Sequence, residues 1–162
     1  MPDMLVNLLR LPPPEPALEG LRAAGVVVRR ARPWELTPVS EFIAGQFGRA
    51  WADEVSVGFA RQPVTVFVAL RGGRLVGFAA YECTRKNFFG PTGVAEAERG
   101  RGVGRALLLA SLRGLHELGY AYAVIGGVGP AEFYERAVGA RLIPDSSPGI
   151  YADPVRAHGG ER

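Results

Sequence analysis

The sequence predicts a mixed α/β domain in which a central, twisted and mostly antiparallel sheet is flanked by helices. Two β-rich runs, 64–70 and 75–81, are joined by Arg71-Gly72-Gly73-Arg74, the pattern of an antiparallel hairpin. Farther along, Leu108, Leu112 and Leu115 recur four and three residues apart within a helical stretch at 103–118. Gly119 is placed to end that helix, which leads straight into the strand-like run Tyr120-Ala121-Tyr122-Ala123-Val124-Ile125. An early hairpin followed by a late strand–helix–strand crossover defines the class. With 162 residues, 48% of them hydrophobic and 22% charged, the chain has the size and make-up of one domain with one core.

Taken in order, residues 1–24 read as a peripheral appendage, because Leu11-Pro12-Pro13-Pro14-Glu15-Pro16 disfavours regular structure and resembles an extended linker. The domain proper is therefore expected at 25–155. Val26-Val27-Val28 forms a first strand, and Pro33-Trp34-Glu35-Leu36-Thr37-Pro38 opens a helix whose apolar positions Val39, Phe42, Ile43 and Phe47 keep helical spacing. A second helix is predicted around 51–59, before the hairpin. A strand follows at 87–95, bent where Gly90-Pro91 and Gly93 disturb its ladder. After the 103–118 helix and the 120–125 strand, Gly126-Gly127-Val128-Gly129 precedes a helix at 130–137, with Pro130 in its first turn. Short strands at 140–143 and 149–151 are expected to close the sheet, and 156–162 to form a flexible tail. There is no internal repeat.

Composition narrows the function classes. The formal net charge is only +3, and Lys86 is the single lysine among the cations. The densest basic groups are Arg29-Arg30-Ala31-Arg32, on a predicted strand, and 99–105, interleaved with glycines, which argues against a nucleic-acid protein with its cations on one face. The apolar run at 4–11 is too short for a membrane span and, being broken by Arg10 and prolines, for a signal segment, so a cytoplasmic protein is expected. Cys83 is the only cysteine, which leaves no intrachain disulfide or cysteine-based zinc site and reads as a small buried apolar residue. No His, Cys and carboxylate cluster has metal-ligand spacing; His116 falls late in the long helix and His158 in the tail.

The chemistry-bearing feature is Arg99-Gly100-Arg101-Gly102-Val103-Gly104-Arg105, where a bent strand gives way to a helix. A helix exposes amide donors in its first turn, and its aligned peptide dipoles favour anions there. No Ser, Thr, Asp or Asn caps this start. Three glycines leave the backbone bare, so that a phosphate could reach the amides of Gly102, Val103, Gly104 and Arg105, while Arg99, Arg101 and Arg105 add positive charge; the pattern suits a pyrophosphate. The Walker pattern fails for want of Gly-Lys-Ser/Thr, and the dinucleotide pattern fails because Arg105 stands where its third glycine belongs. Arg-x-x-Gly-x-Gly between strand and helix remains.

That motif resembles the acetyl-CoA signature of the GNAT superfamily of N-acetyltransferases. The resemblance covers roughly 26–153 and is strongest from Val94 to Leu142; Phe133-Tyr134-Glu135-Arg136 followed by Gly139-Ala140 is similar to the family's second segment, although Gly127 and Pro130 stand where members often carry Asn and Ala. The resemblance implies the GNAT fold, acetyl-CoA as acyl donor, and direct transfer to an amine acceptor, with the pantetheine arm between the strand ending near Val94 and the strand at 120–125. Distortion near Gly93 would free the N–H of Val94 or Ala95 to face the thioester carbonyl. Tyr134 falls on the family's tyrosine and would protonate the departing thiolate. Glu82 at a strand end, or Glu54 in the segment that lines the family's acceptor groove, would take the amine proton. Trp34, Trp51, Tyr81, Phe88, Phe89 and Tyr151 are the aromatics that could border the acceptor. A non-catalytic acyl-CoA sensor is the competing reading, and pairing of strand edges into a homodimer stays open.

Overall fold

The computed structural model describes residues 1–156 of the chain. Seven strands form one sheet: β1 (Met4–Asn7), β2 (Val26–Arg30), β3 (Val66–Arg71), β4 (Arg74–Tyr81), β5 (Phe88–Val94), β6 (Tyr122–Ile125) and β7 (Arg141–Leu142), in the spatial order β2-β3-β4-β5-β6-β1-β7. Every neighbouring pair is antiparallel except β5 and β6. The expected mixed class, with a mostly antiparallel sheet between helices, is the one observed. The tail anticipated at the C-terminus, with His158, lies outside the described residues beyond Arg156.

The two faces of the sheet carry separate apolar layers. On one, α1 (Glu15–Ala23), α4 (Val103–Glu117) and α5 (Ala131–Val138) pack with Val76, Ala79, Phe89 and Ile125. On the other, α2 (Leu36–Phe47) and α3 (Arg49–Phe59) cover Val66, Val68, Phe78 and Ala80. Helix α4 is central: Val103, Leu107, Leu108, Leu112 and Leu115 are all buried, as the four-and-three spacing predicts. It lies close against β4 because position 114 is glycine. A Cβ there would stand 2.5 Å from the Tyr81 ring, so any larger residue would push the helix off the sheet.

The N-terminal segment corrects the expected boundary. Residues 1–24 are not an appendage: β1 lies inside the sheet, antiparallel to β6 on one side and to β7 on the other. Met4 and Val6 are fully buried, as is Leu8 in the short 3-10 turn that follows. The apolar alternation Met4, Val6, Leu8 is a strand signal, outweighed in the sequence by the prolines after it. Those prolines do not make a linker, because Pro14 and Pro16 sit at the start of α1, where a missing N–H costs nothing. At the other end, the expected closing strand at 149–151 is a 3-10 turn, Gly149–Tyr151, and the sheet is completed by β1 instead. Met4→Ala should therefore destabilise the fold by about 2–5 kcal/mol, measured as a lowered urea midpoint; a peripheral residue would give no shift.

Between β2 and α2 the chain is pinned by a two-point ion pair. Arg29 Nη1 and Nη2 donate to Glu35 Oε2 and Oε1 at 2.9 and 2.6 Å, and the Arg32 N–H donates to Glu35 Oε2 at 2.8 Å. The Arg29 guanidinium, more than the backbone N–H, holds the Glu35 carboxyl near pKa 2 instead of its ordinary 4.5. Because the folded-state pKa is depressed, the stabilisation is present above about pH 4.5 and lost as the pH falls toward 2. Glu35→Gln should cost about 1 kcal/mol at neutral pH, the pair being partly solvated, and almost nothing at pH 2. Urea unfolding of both proteins at the two pH values measures the difference.

Candidate functional site

The one parallel junction in the sheet is short. β5 and β6 pair only at Phe88↔Val124 and Phe89↔Ile125, after which β5 continues along β4 while the chain beyond Ile125 turns away through Gly126–Gly129. The bend lies at Gly90-Pro91, where β4 and β5 lose register between Ala79 and Tyr81. Gly93, where the distortion was expected, keeps a regular partner in Phe78. Proline has no N–H for the ladder, so β5 leaves β6 there and a cleft opens. Two cavities of about 340 and 240 Å³ share Trp51, Phe89, Gly90, Pro91, Gly126 and Gly127 as walls. The larger reaches Glu54, Thr84 and Tyr151; the smaller reaches Thr92, Val128 and Tyr134.

At the far end of β5 stands the glycine turn. Gly100 and Gly102 have φ of +76° and +85°, and a Cβ at either would meet nothing within 4 Å, so the turn faces open space and is shaped by the left-handed conformation that glycine adopts freely. Gly102 caps α4 without any side-chain hydrogen bond. The first intrahelical bond runs from the Ala106 N–H to the Gly102 carbonyl at 3.1 Å, which leaves the Val103, Gly104 and Arg105 N–H groups to bind an anion. Arg99 Nε donates to the Val94 carbonyl at 3.1 Å and so ties the turn to the end of β5. Glu98, paired with Arg71 at 2.8 Å and with Arg101 at 3.8 Å, braces the loop from behind.

Tyr134, on the first turns of α5, is buried between Phe89 and Phe133, with ring centroids 6.4 and 5.0 Å away. Burial pushes its phenol up to about 12, so it keeps its proton across the neutral range. A bare helix start, a cleft between two diverging strands and a protonated phenol in that cleft together form a site for a long phosphate-bearing ligand.

Comparison with known proteins agrees with that geometry. Residues 62–137 match the family model of the acetyltransferase (GNAT) domain, a span that contains β3, β4, β5, the glycine turn, α4, β6 and most of α5. The fold is the GNAT fold, and residues 62–137 are similar to that family's acetyltransferase domain. Among solved structures, the GCN5-related glucosamine N-acetyltransferase region of a fungal multi-domain GH3 β-N-acetylglucosaminidase superposes with a TM-score of 0.71 at 17% identity, over 88% of this chain and 19% of that one. A GNAT family acetyltransferase from Brucella melitensis, solved with acetyl-CoA, gives 0.56 at 21% identity over 73% and 86%. A GNAT family N-acetyltransferase from Escherichia coli, solved with CoA, gives 0.54 at 26% identity over 69% and 67%. The chain spans less than half the length of several solved proteins that it matches. No curated protein matches it.

Within this GNAT fold the residues singled out from the sequence separate into two groups. The turn from Arg99 to Arg105 lies against the Val94 end of β5, a Cβ at Gly104 standing 3.7 Å from Val94 and 3.9 Å from Phe133, while the neighbouring Tyr134 lines the smaller cavity. Ala95 does not join them, because its N–H donates to the Val76 carbonyl at 2.8 Å and stays in the β4–β5 ladder. Val94 points the other way: its carbonyl takes Arg99 Nε, and in an extended strand the N–H lies on the same side, toward the cleft.

Glu82 also stands apart. It lines neither cavity; with φ +59° it shapes the turn between β4 and β5, where Oε1 accepts the Asn87 N–H at 2.6 Å and Oε2 lies 3.9 Å from Arg61. This carboxylate is occupied in holding the turn. Glu54 is the carboxylate that reaches the larger cavity, hydrogen-bonded by the Thr84 hydroxyl. Of the aromatics, Trp51, Phe89 and Tyr151 line the cleft. Tyr81 and Phe88 are core, and Trp34 is 75% exposed on a different part of the surface.

Two contributors had no sequence signal. Thr84 is an isolated hydroxyl in a loop, and Asp3, whose Oδ1 accepts the Gly127 N–H at 2.8 Å and fixes the loop that walls the cleft, belongs to the segment read as an appendage. Among the described residues no helix is long and apolar enough to cross a membrane.

Proposed function

We propose that the chain is an N-acetyltransferase that moves an acetyl group from acetyl-CoA directly to a primary amine of a small molecule or peptide. The observation that carries this reading is the bare start of α4 set against Val94 and Phe133, with the Tyr134 phenol next along the chain lining the β5–β6 cleft. The residues fit the donor: positions 100 and 102 leave room beside unpaired amides, and the cleft lies between the two strands that diverge from Phe89 and Ile125. When bound, acetyl-CoA supplies the activated acetyl group.

In this reading the N–H groups of Gly102, Val103, Gly104 and Arg105 hold the pyrophosphate, with Arg101 and Arg105 adding charge from either side of the helix start. The Val94 N–H donates toward the thioester carbonyl, where negative charge grows as the amine attacks. Tyr134 gives its proton to the departing sulfur, and the apolar walls Phe89 and Pro91 keep water from competing with the amine.

Calorimetric titration with acetyl-CoA, with CoA and NADH alongside, tests the donor site; release of free thiol in the presence of an amine panel tests transfer. Micromolar binding of acetyl-CoA but not NADH, with amine-dependent thiol release, is expected. Binding without transfer to any amine would favour the acyl-CoA sensor, and absence of binding would overturn both readings.

A further inference from the structure

The larger cavity has an asymmetric lining that bears on the acceptor. Glu54 is the only charged side chain that reaches it, the other charge being the Met1 α-ammonium, which donates to the Ser147 hydroxyl at 3.1 Å; neither cavity is lined by Lys, Arg or His. The Glu54 carboxylate is half-buried and fixed by the Thr84 hydroxyl on Oε1, while Oε2 has no protein partner among the described residues. Opposite it stand apolar or aromatic walls, chiefly Trp51, Phe89, Pro91, Pro148 and Tyr151. Trp51 is held in place by stacking on Phe47 at 5.7 Å, and Phe47 in turn fills the space over Gly93.

Resting on the acetyltransferase reading above, we propose that the acceptor is a small amine with one positive charge and an apolar body, and that Glu54 binds its ammonium group. An ammonium donates a charge-assisted hydrogen bond to the free Oε2, and Trp51 and Tyr151 offer ring faces to the same cation. The apolar body replaces water on Phe89 and Pro91. The Tyr151 phenol is pushed up by burial and then by the Glu54 and Asp3 carboxylates, consistent with negative potential at this end of the cavity.

Polyamines fit poorly, because a second ammonium would press on an apolar wall. In the transfer itself, the bound ammonium first loses one proton, through Glu54 to solvent. The neutral nitrogen then forms the C–N bond as the C–S bond breaks. The second nitrogen proton balances the one that Tyr134 gives to sulfur, so the products are amide, free thiol and one released proton.

The test is a comparison of 2-phenylethylamine, spermidine and aniline as acceptors, with wild-type protein and Glu54→Gln. Phenylethylamine should show the highest kcat/KM, at least tenfold above spermidine. Glu54→Gln should raise the KM for phenylethylamine about tenfold to a hundredfold while leaving the Kd of acetyl-CoA and the KM for aniline, neutral at pH 7, unchanged. Thr84→Val, which frees the carboxylate to move, should raise the same KM less. Preference for spermidine, no transfer to phenylethylamine despite bound acetyl-CoA, or a KM insensitive to Glu54→Gln would overturn the acceptor class alone. Failure to bind acetyl-CoA would overturn the underlying donor reading.

Discussion

Gly102→Glu should abolish measurable acetyl-CoA binding while the protein remains folded. The new side chain enters open space, so no neighbour has to move. The backbone at φ +85° charges a strain of about 1–3 kcal/mol to any non-glycine residue, which a core of this size tolerates. The carboxylate, however, would sit among the first-turn amides of α4 and compete with a pyrophosphate for the same donors while repelling its charge. Affinity should fall at least a hundredfold in calorimetry, and Gly102→Ala, which brings the same strain without the charge, should lose far less. If the two variants bound acetyl-CoA equally well, the turn would not be the phosphate site.

Tyr134→Phe should lower kcat by about a hundredfold or more with little change in the Kd of acetyl-CoA. The hydroxyl has no protein hydrogen bond among the described residues, so its loss leaves no orphaned partner, and the ring keeps its contacts with Phe89 and Phe133. Burial holds the phenol pKa near 12, above its ordinary 10. The proton is therefore in place throughout the neutral and mildly alkaline range, and any loss of rate between pH 7 and 10 should persist unchanged in the variant. Steady-state kinetics across that range would show it; an unaltered kcat would remove Tyr134 from the proton path.

Local signals and long-range ones were not equally readable. Helix α4 and the β3–β4 hairpin were legible because their patterns are self-contained: a four-and-three leucine spacing in one, a Gly-Gly turn between β-branched runs in the other. The glycine turn was legible for the same reason, since the anion site is made of backbone from a few consecutive residues. β1 was not, because a four-residue strand has too little periodicity to outweigh five prolines in residues 2–16, and its stability comes from neighbours more than a hundred residues away. The candidate base was misjudged by the same kind of distance. Glu82 and Glu54 are equivalent as letters, and only packing shows that one is used up by the Asn87 N–H while the other, on α3, reaches the cleft. Ala95 shows the finer limit, since the side of a ladder on which an amide falls depends on a single residue of register.

The position of β1 also sets the order in which the domain can be made. A ribosome delivers residues 4–7 well before both strands that flank them, β6 at 122–125 and β7 at 141–142. Until then Met4 and Val6 have no permanent partner, and the nascent chain must carry a sticky apolar segment through most of translation. Closing the sheet brings residues 4–7 between β6 and β7 beside the cleft, with Asp3 accepting the Gly127 N–H. The wall made by Gly126, Gly127, Pro148 and Tyr151 is thus a late part of the cleft to form, and a chain halted before it would hold a formed hairpin but only half of the pocket.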